Sequence, residues 1–218
     1  MTGIERLLEM VGAELICGFA RALTGVRATW LAPPRTDTPR VYFANHASHA
    51  DFTLIWASLP KSIRARARPV AARDYWESGL LRPFLARRIF HAVLVDRGQL
   101  RRDHNPVEAM AEALEAGDPL ILFPEGTRTT TGEVQMFKSG LFHLAERCPG
   151  IEFVPVWIEN LARVMPKGSF VPIPLLCSIT YGEPIAWKDE AKQVFLDRAR
   201  QALLDLRPAS PDSERPTP

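Results

Sequence analysis

Four short, wholly apolar runs, Val41–Ala44, Ala92–Val95, Leu120–Phe123 and Phe153–Ile158, restrict this chain more than any other feature. They are too short for core helices and too continuous for strands with one wet face, so they read as strands buried on both sides of a sheet. Helix-length segments lie between them. These cover about Ser48–Leu59, Trp76–Arg88 with a kink at Pro83, Asn105-Pro106 to Gly117, and Met136–Arg147. Strands at Pro69–Ala72 and near Leu176–Tyr181 and a closing helix over about Asp189–Leu206 complete the series. The alternation predicts a single α/β domain whose central sheet is largely parallel or mixed and flanked by helices. Residues 31–207 form that domain, residues 1–30 an N-terminal amphipathic helix region, and the proline-bearing tail 208–218 is expected to be disordered.

The most apolar stretch, Met10 to Gly25, is interrupted by Glu14 and Arg21 and falls short of the ~18 apolar residues a membrane span needs. No small-residue cleavage site follows it, so neither a transmembrane helix nor a signal peptide is predicted. Ile4, Leu7, Leu8, Val11, Leu15, Phe19 and Leu23 recur at spacings of three and four, with Glu5 and Glu9 on the other side. That stripe suits a membrane interface or a core, and spacing does not choose between them.

Charge is nearly balanced at 27 basic against 25 acidic residues, but its distribution is uneven. From Lys61 to Arg102 there are eleven basic and three acidic side chains, a local excess of +8. A basic face fits anionic lipid headgroups, nucleic acid, or a phosphorylated or acidic-carrier substrate. A nucleic-acid role lacks both a binding motif and interleaved stacking aromatics, and is not predicted. Cys17, Cys148 and Cys177 form no C-x-x-C pair, so no disulfide framework or zinc knuckle is encoded, and a reducing compartment is the expectation.

G-x-S-x-G, G-x-G-x-x-G and the P-loop pattern are absent, which removes the usual signatures of serine hydrolases, dinucleotide enzymes and phosphate-loop NTPases. Chemistry concentrates where apolar strands end. Asn45-His46-Ala47-Ser48-His49-Ala50-Asp51 leaves the first run, at the sheet edge where ligands bind in open α/β folds. With Ser48 as N-cap, Asp51 takes the third helical position and its carboxylate can reach back to the imidazole. A carboxylate on one ring nitrogen fixes the tautomer and makes the other nitrogen a better base. Ser-x-x-Asp is also close to a capping box, and His46, His49 and Asp51 make a conceivable metal triad; both readings stay open. A second strand end, Phe123-Pro124-Glu125-Gly126-Thr127-Arg128, supplies a sharp turn at Gly126 and a planar fork for phosphate or carboxylate at Arg128, with Glu125 placed to hold that arginine or a substrate hydroxyl. Val95-Asp96-Arg97 places a further arginine at a third strand end. Lys138 reads equally as a phosphate contact or an exposed helix lysine.

Together these blocks resemble the glycerolipid acyltransferase family typified by 1-acylglycerol-3-phosphate acyltransferase: N-H-x-S-x-x-D, then V-D-R, F-P-E-G-T-R and Val154-Pro155-Val156, in that order. The likeness runs from about Val41 to Ile158. It implies that His46 and Asp51 are the catalytic dyad, that Arg97, Glu125, Gly126, Thr127 and Arg128 bind the acceptor phosphate, and that the Val-Pro-Val strand supports the acyl site. Ala47 stands where the family often has glutamine and His91 where it often has glycine.

The expected reaction is acyl transfer from a thioester, acyl-CoA or acyl carrier protein, to the free hydroxyl of lysophosphatidic acid or another lysolipid, or of glycerol 3-phosphate. No cofactor or metal is expected, and backbone N–H groups at the start of the Ser48 helix are the expected oxyanion donors. The expected location is peripheral, on the cytoplasmic face of an anionic membrane. A metal-dependent hydrolase using His46, His49 and Asp51 is the alternative from another class.

Overall fold

The computed structural model describes residues 3–48, 50–96, 105–129, 133–159 and 176–208. Its strands are β1 (Arg27–Trp30), β2 (Arg40–Ala44), β3 (Arg68–Ala72), β4 (Val93–Val95), β5 (Leu120–Leu122), β6 (Glu152–Glu159), β7 (Ser178–Tyr181) and β8 (Ile185–Ala186). The described helices are α1 (Gly3–Thr24), α2 (Asp51–Ser58), α3 (Lys61–Arg64), α4 (Arg73–Trp76), α5 (Leu81–Phe84), α6 (Pro106–Glu115), α7 (Gly140–Arg147) and α8 (Lys192–Leu204), with a π-helical turn at Leu85–Ile89.

The strands form one sheet in the order β1-β7-β6-β2-β5-β3-β4, with β8 beside β6. From β6 through β2, β5 and β3 to β4 every pairing is parallel, whereas β7 and β8 run antiparallel to β6 and β1 is parallel to β7. This is the mixed, mostly parallel sheet expected from the apolar runs. β2 explains why those runs are continuous: alternate residues serve opposite cores. Tyr42 and Ala44 pack with Cys17 of α1 and Leu54 and Ile55 of α2. Val41 and Phe43 pack with Met110 of α6, Leu141 of α7 and Phe195 of α8.

Several boundaries differ from expectation for local reasons. The helix predicted over Trp76–Arg88 is broken at Gly79, whose φ of +77° is left-handed. It resumes as α5 and then widens into the π-helical turn, where Phe90 N–H reaches Leu85 O at 2.9 Å. α7 starts at Gly140 rather than Met136 because Lys138 N–H is tied to Pro124 O at 2.8 Å, so the preceding residues are held against the Pro124 turn. α6 matches its prediction, with Asn105 Oδ1 accepting from Val107 N–H at 3.0 Å. β1 and β8 were not predicted. β1 joins α1 to the main sheet, because Arg27 to Trp30 pair residue by residue with Ser178 to Tyr181.

α1 packs on the core through one face and leaves the predicted stripe exposed on another. Ala13, Ile16, Cys17 and Ala20 pack inward, and Cys17 Sγ and Arg21 Nε both donate to Ala57 O at the end of α2, at 3.6 and 2.9 Å. The large residues of the predicted stripe point the other way: Leu7, Leu8, Val11, Leu15 and Phe19 are 48% to 68% exposed. Small side chains allow the helix to seat closely, and the bulky stripe is left outside.

Candidate active site

β2 ends at Ala44, where its backbone ladder with β6 stops. Asn45 takes over with its side chain: Nδ2 donates to Ile158 O at 3.0 Å and Oδ1 accepts from Ile158 N–H at 2.8 Å. The amide thus stands in for a peptide group, and the main chain is released to turn. Sequence reasoning missed this role; the available signal was an asparagine where a buried strand leaves the sheet.

His46 follows and is held on three sides. Its Nδ1–H donates to Asp51 Oδ2 at 2.8 Å, its main-chain N–H donates to Glu125 Oε1 at 2.9 Å, and its carbonyl accepts from Thr129 N–H at 2.9 Å. The ring stacks on Phe123 at 4.2 Å between centroids and 19° between planes. With Nδ1 committed to a carboxylate, Nε2 carries the lone pair.

Asp51, 1% exposed, does more than orient the imidazole. The same Oδ2 accepts from Ala47 N–H at 2.7 Å and Ser48 N–H at 2.8 Å. The dyad and capping readings of this segment therefore coexist in one oxygen, while the expected helix start needs correcting. α2 begins at Asp51, with Ala50 rather than Ser48 at the N-cap position. Ser48 sits one turn earlier, its Oγ accepting from Ala50 N–H at 3.3 Å and its carbonyl from Asp51 N–H at 3.3 Å. These bonds occupy the N–H groups of Ala47, Ser48, Ala50 and Asp51 inside the turn. His49, the third member of the alternative metal triad, lies outside the described residues.

The neighbouring strand β5 delivers the second cluster. Gly126 has φ +71°, a conformation that favours glycine, and a Cβ there would sit 3.0 Å from Cε of the flexible Lys138 side chain. Glu125 is turned inward rather than toward Arg128 or a substrate hydroxyl. It is 2% exposed, and its second oxygen accepts from Gln135 N–H at 2.8 Å. Burial pushes its carboxyl above the ordinary value, partly offset by the two backbone donors. Thr127 and Arg128 are exposed, and neither Arg128 nor Lys138 has an ion pair among the described residues. Lys138 lays its aliphatic stem across Gly126, which places a second cation beside the turn.

Arg97 falls outside the described residues. β4, which leads to it, is separated from β5 by β3. Much of the basic segment is engaged in ion pairs: Arg64 with Glu14, Arg66 and Arg68 with Asp118, Arg73 with Glu77 and Asp96, Arg87 with Glu77, and Arg88 with Glu9. Part of the expected open basic face is therefore paired rather than free. Cys177 is no competing nucleophile, since burial, and then the nearby Asp51 charge, push its thiol up to about 11. His91 sits at φ +47°, so the residue standing where relatives often have glycine occupies a left-handed turn. That turn leads into β4 from the opposite end of the sheet.

The architecture is that of an α/β protein with a carboxylate-oriented histidine and, on an adjoining strand end, an exposed arginine that has no ion pair among the described residues. The acyltransferase family profile matches residues 26–159, and the chain belongs to that family. It is 29% identical over 182 residues to a 1-acyl-sn-glycerol-3-phosphate acyltransferase of Chlamydomonas reinhardtii, covering 82% of this chain and 51% of that one. A chloroplastic enzyme of the same name from Arabidopsis thaliana is 31% identical over 140 residues, covering 62% of this chain and 36% of the relative. The alpha enzyme of Bos taurus is 30% identical over 83% of this chain and 61% of its own length. The chain thus spans from about a third to under two thirds of the length of these relatives. The fold is similar to the crystal structure of the 1-acyl-sn-glycerophosphate acyltransferase PlsC from Thermotoga maritima, with a TM-score of 0.66 at 21% identity, covering 93% of this chain and 83% of that one.

Proposed function

We propose that the chain transfers an acyl group from a thioester, acyl-CoA or an acyl carrier protein, to the free hydroxyl of lysophosphatidic acid, yielding phosphatidic acid. The observation that carries this reading is the 2.8 Å bond from His46 Nδ1 to Asp51 Oδ2. It leaves Nε2 as a base at the same edge as Arg128, which has no ion pair among the described residues. The names of the relatives supply the substrate class.

In this mechanism His46 Nε2 removes the hydroxyl proton as the oxygen attacks the thioester carbonyl carbon. Asp51 stabilises the imidazolium. The tetrahedral species collapses by breaking the C–S bond, and the Nε2 proton passes to the departing thiolate. Because the thioester is already activated, neither an acyl-enzyme nor a cofactor is required. Arg128, with Arg97 and Lys138, receives the acceptor phosphate; Gly126 and Thr127 shape the turn that presents it. Glu125 contributes by placing the His46 backbone.

The acceptor is lipid-borne, so the enzyme works as a peripheral protein on the cytoplasmic face of a membrane. No described helix is long and apolar enough to cross one, and the outward stripe of α1 supports contact from the side.

The test is acyl transfer by the purified chain, crossing lysophosphatidic acid, other lysolipids and glycerol 3-phosphate with both donor types. Phosphatidic acid should form and survive chelation, and His46→Ala should lower turnover by about 10²- to 10⁴-fold. Arg128→Ala should mainly raise KM for the phosphorylated acceptor, because that contact precedes attack. Loss of activity on chelation would favour the metal-dependent hydrolase, and an unchanged KM would point to an acceptor without phosphate.

A further inference from the structure

We infer that the turn spanning Leu80 to Phe84 is a second membrane contact, one that inserts into an anionic bilayer beside the mouth of the site. This deepens the lipid-acceptor reading and rests on it. Leu80 is 99% exposed, Leu81 66% and Phe84 50%; three large apolar side chains within five residues leave the protein together, which an isolated surface leucine would not imply.

Two observations select a bilayer as what covers them. The first is charge. Arg87 is paired with Glu77 and Arg88 with Glu9, but Arg82, within the tip, donates only to Ser78 Oγ and has no ion pair among the described residues, so one guanidinium beside the apolar side chains is left for a phosphate headgroup. The second is placement. α1 packs on the adjoining π-helical turn, with Arg88 Nε 3.3 Å from Glu9 Oε1 and Gly12 facing Ile89 Cδ1. The turn therefore neighbours the helix whose own bulky stripe faces outward.

The turn also leads back to the chemistry. It follows α4 from the carboxyl end of β3, the edge that carries His46. Trp76 at the end of α4 stands edge-to-face with Phe52 at 5.4 Å, and Phe52 is the residue after Asp51. Insertion here would draw the site to the lipid surface, so that an acceptor could enter without leaving the bilayer completely.

The experiment is sedimentation of the full chain with vesicles of phosphatidylcholine and phosphatidylglycerol at about 3:1, and with pure phosphatidylcholine. Leu80→Ser/Leu81→Ser removes exposed side chains, so its thermal melt should match the parent. Its partitioning onto the anionic vesicles should fall about tenfold or more. Turnover on vesicle-borne lysophosphatidic acid should fall in parallel, while turnover on the same acceptor in detergent micelles stays unchanged. Unchanged partitioning overturns the inference, as does equal binding of the parent to neutral vesicles. So does a dimer in solution that the double variant converts to monomers, since a second copy would then cover the patch. Failure of the parent to acylate lysophosphatidic acid in micelles would instead defeat the lipid-acceptor reading, and it is read separately from partitioning.

Discussion

Asp51 and Glu125 are both buried carboxylates that accept backbone N–H groups around His46, yet they grip it differently. Asp51 binds the imidazole itself and, through the same oxygen, the two N–H groups of the turn that follows. Glu125 binds only main chain, at His46 and Gln135. One carboxylate binds the imidazole ring. The other sets where the histidine stands, by bridging the β2 exit to the segment beyond β5. The comparison shows that two acidic residues in adjoining motifs can hold one histidine without sharing a job.

The contrast breaks first at Asp51. Asp51→Asn keeps an acceptor of the same shape but no longer stabilises the imidazolium, so kcat should fall by about 10³- to 10⁴-fold while the variant still folds. Steady-state kinetics with a circular-dichroism melt would check this. Glu125→Gln should act mainly on stability. An amide offers one acceptor oxygen where two N–H groups now bind, and the orphaned buried donor costs about 1–3 kcal/mol in urea unfolding. Turnover should fall far less than for Asp51→Asn. Equal losses of turnover with unchanged stability would mean that Glu125 meets the reacting groups.

The pH dependence of folding sharpens the same distinction. Burial raises the Glu125 carboxyl above 4.5 in the folded protein. Below 4.5 it is protonated in both states and the shift has no effect. As pH climbs from there through the raised folded value, the native state holds the extra proton, so this group's contribution to stability declines and then levels off. Urea midpoints measured across this window should show that decline in the parent, and Glu125→Gln should flatten it. The smallest effect is expected away from the site. His91→Gly relieves a left-handed residue and should add about 1 kcal/mol of stability with no change in kcat. Reduced activity would show that this turn reaches the chemistry after all.

Much of the framework was legible because it rests on short-range physics. Apolar runs buried on both faces announced β2, β4, β5 and β6, and Asn105-Pro106 announced the start of α6. His46 and Asp51 were legible as a pair because five residues and one turn suffice to bring them together. Other features depended on partners far along the chain. Asn45 looks like any turn asparagine until Ile158 arrives beside it, and β1 is too polar to read as a strand without β7. The stripe on α1 has the right period, but the period is blind to which face meets the core. Ser48 has the residue type of an N-cap and its Oγ accepts from Ala50 N–H, yet the helix starts only at Asp51, whose carboxylate holds the N–H groups of Ala47 and Ser48 in the turn before it.

The order of apolar runs and strand-end motifs in this chain determined the α/β class and gathered a histidine, its carboxylate and an arginine at one sheet edge, because strand burial and parallel pairing bring successive strand ends together. Tertiary structure alone decided which charges remain available. Arg64, Arg66, Arg68, Arg73, Arg87 and Arg88 found acidic partners on α1, at Glu77, at Asp118 and near the end of β4, whereas Arg128 has no ion pair among the described residues. It also decided that Glu125 faces inward, since a buried carboxylate goes where backbone donors can replace its water. Spacing carries no record of such partners, for they are set by distance in space.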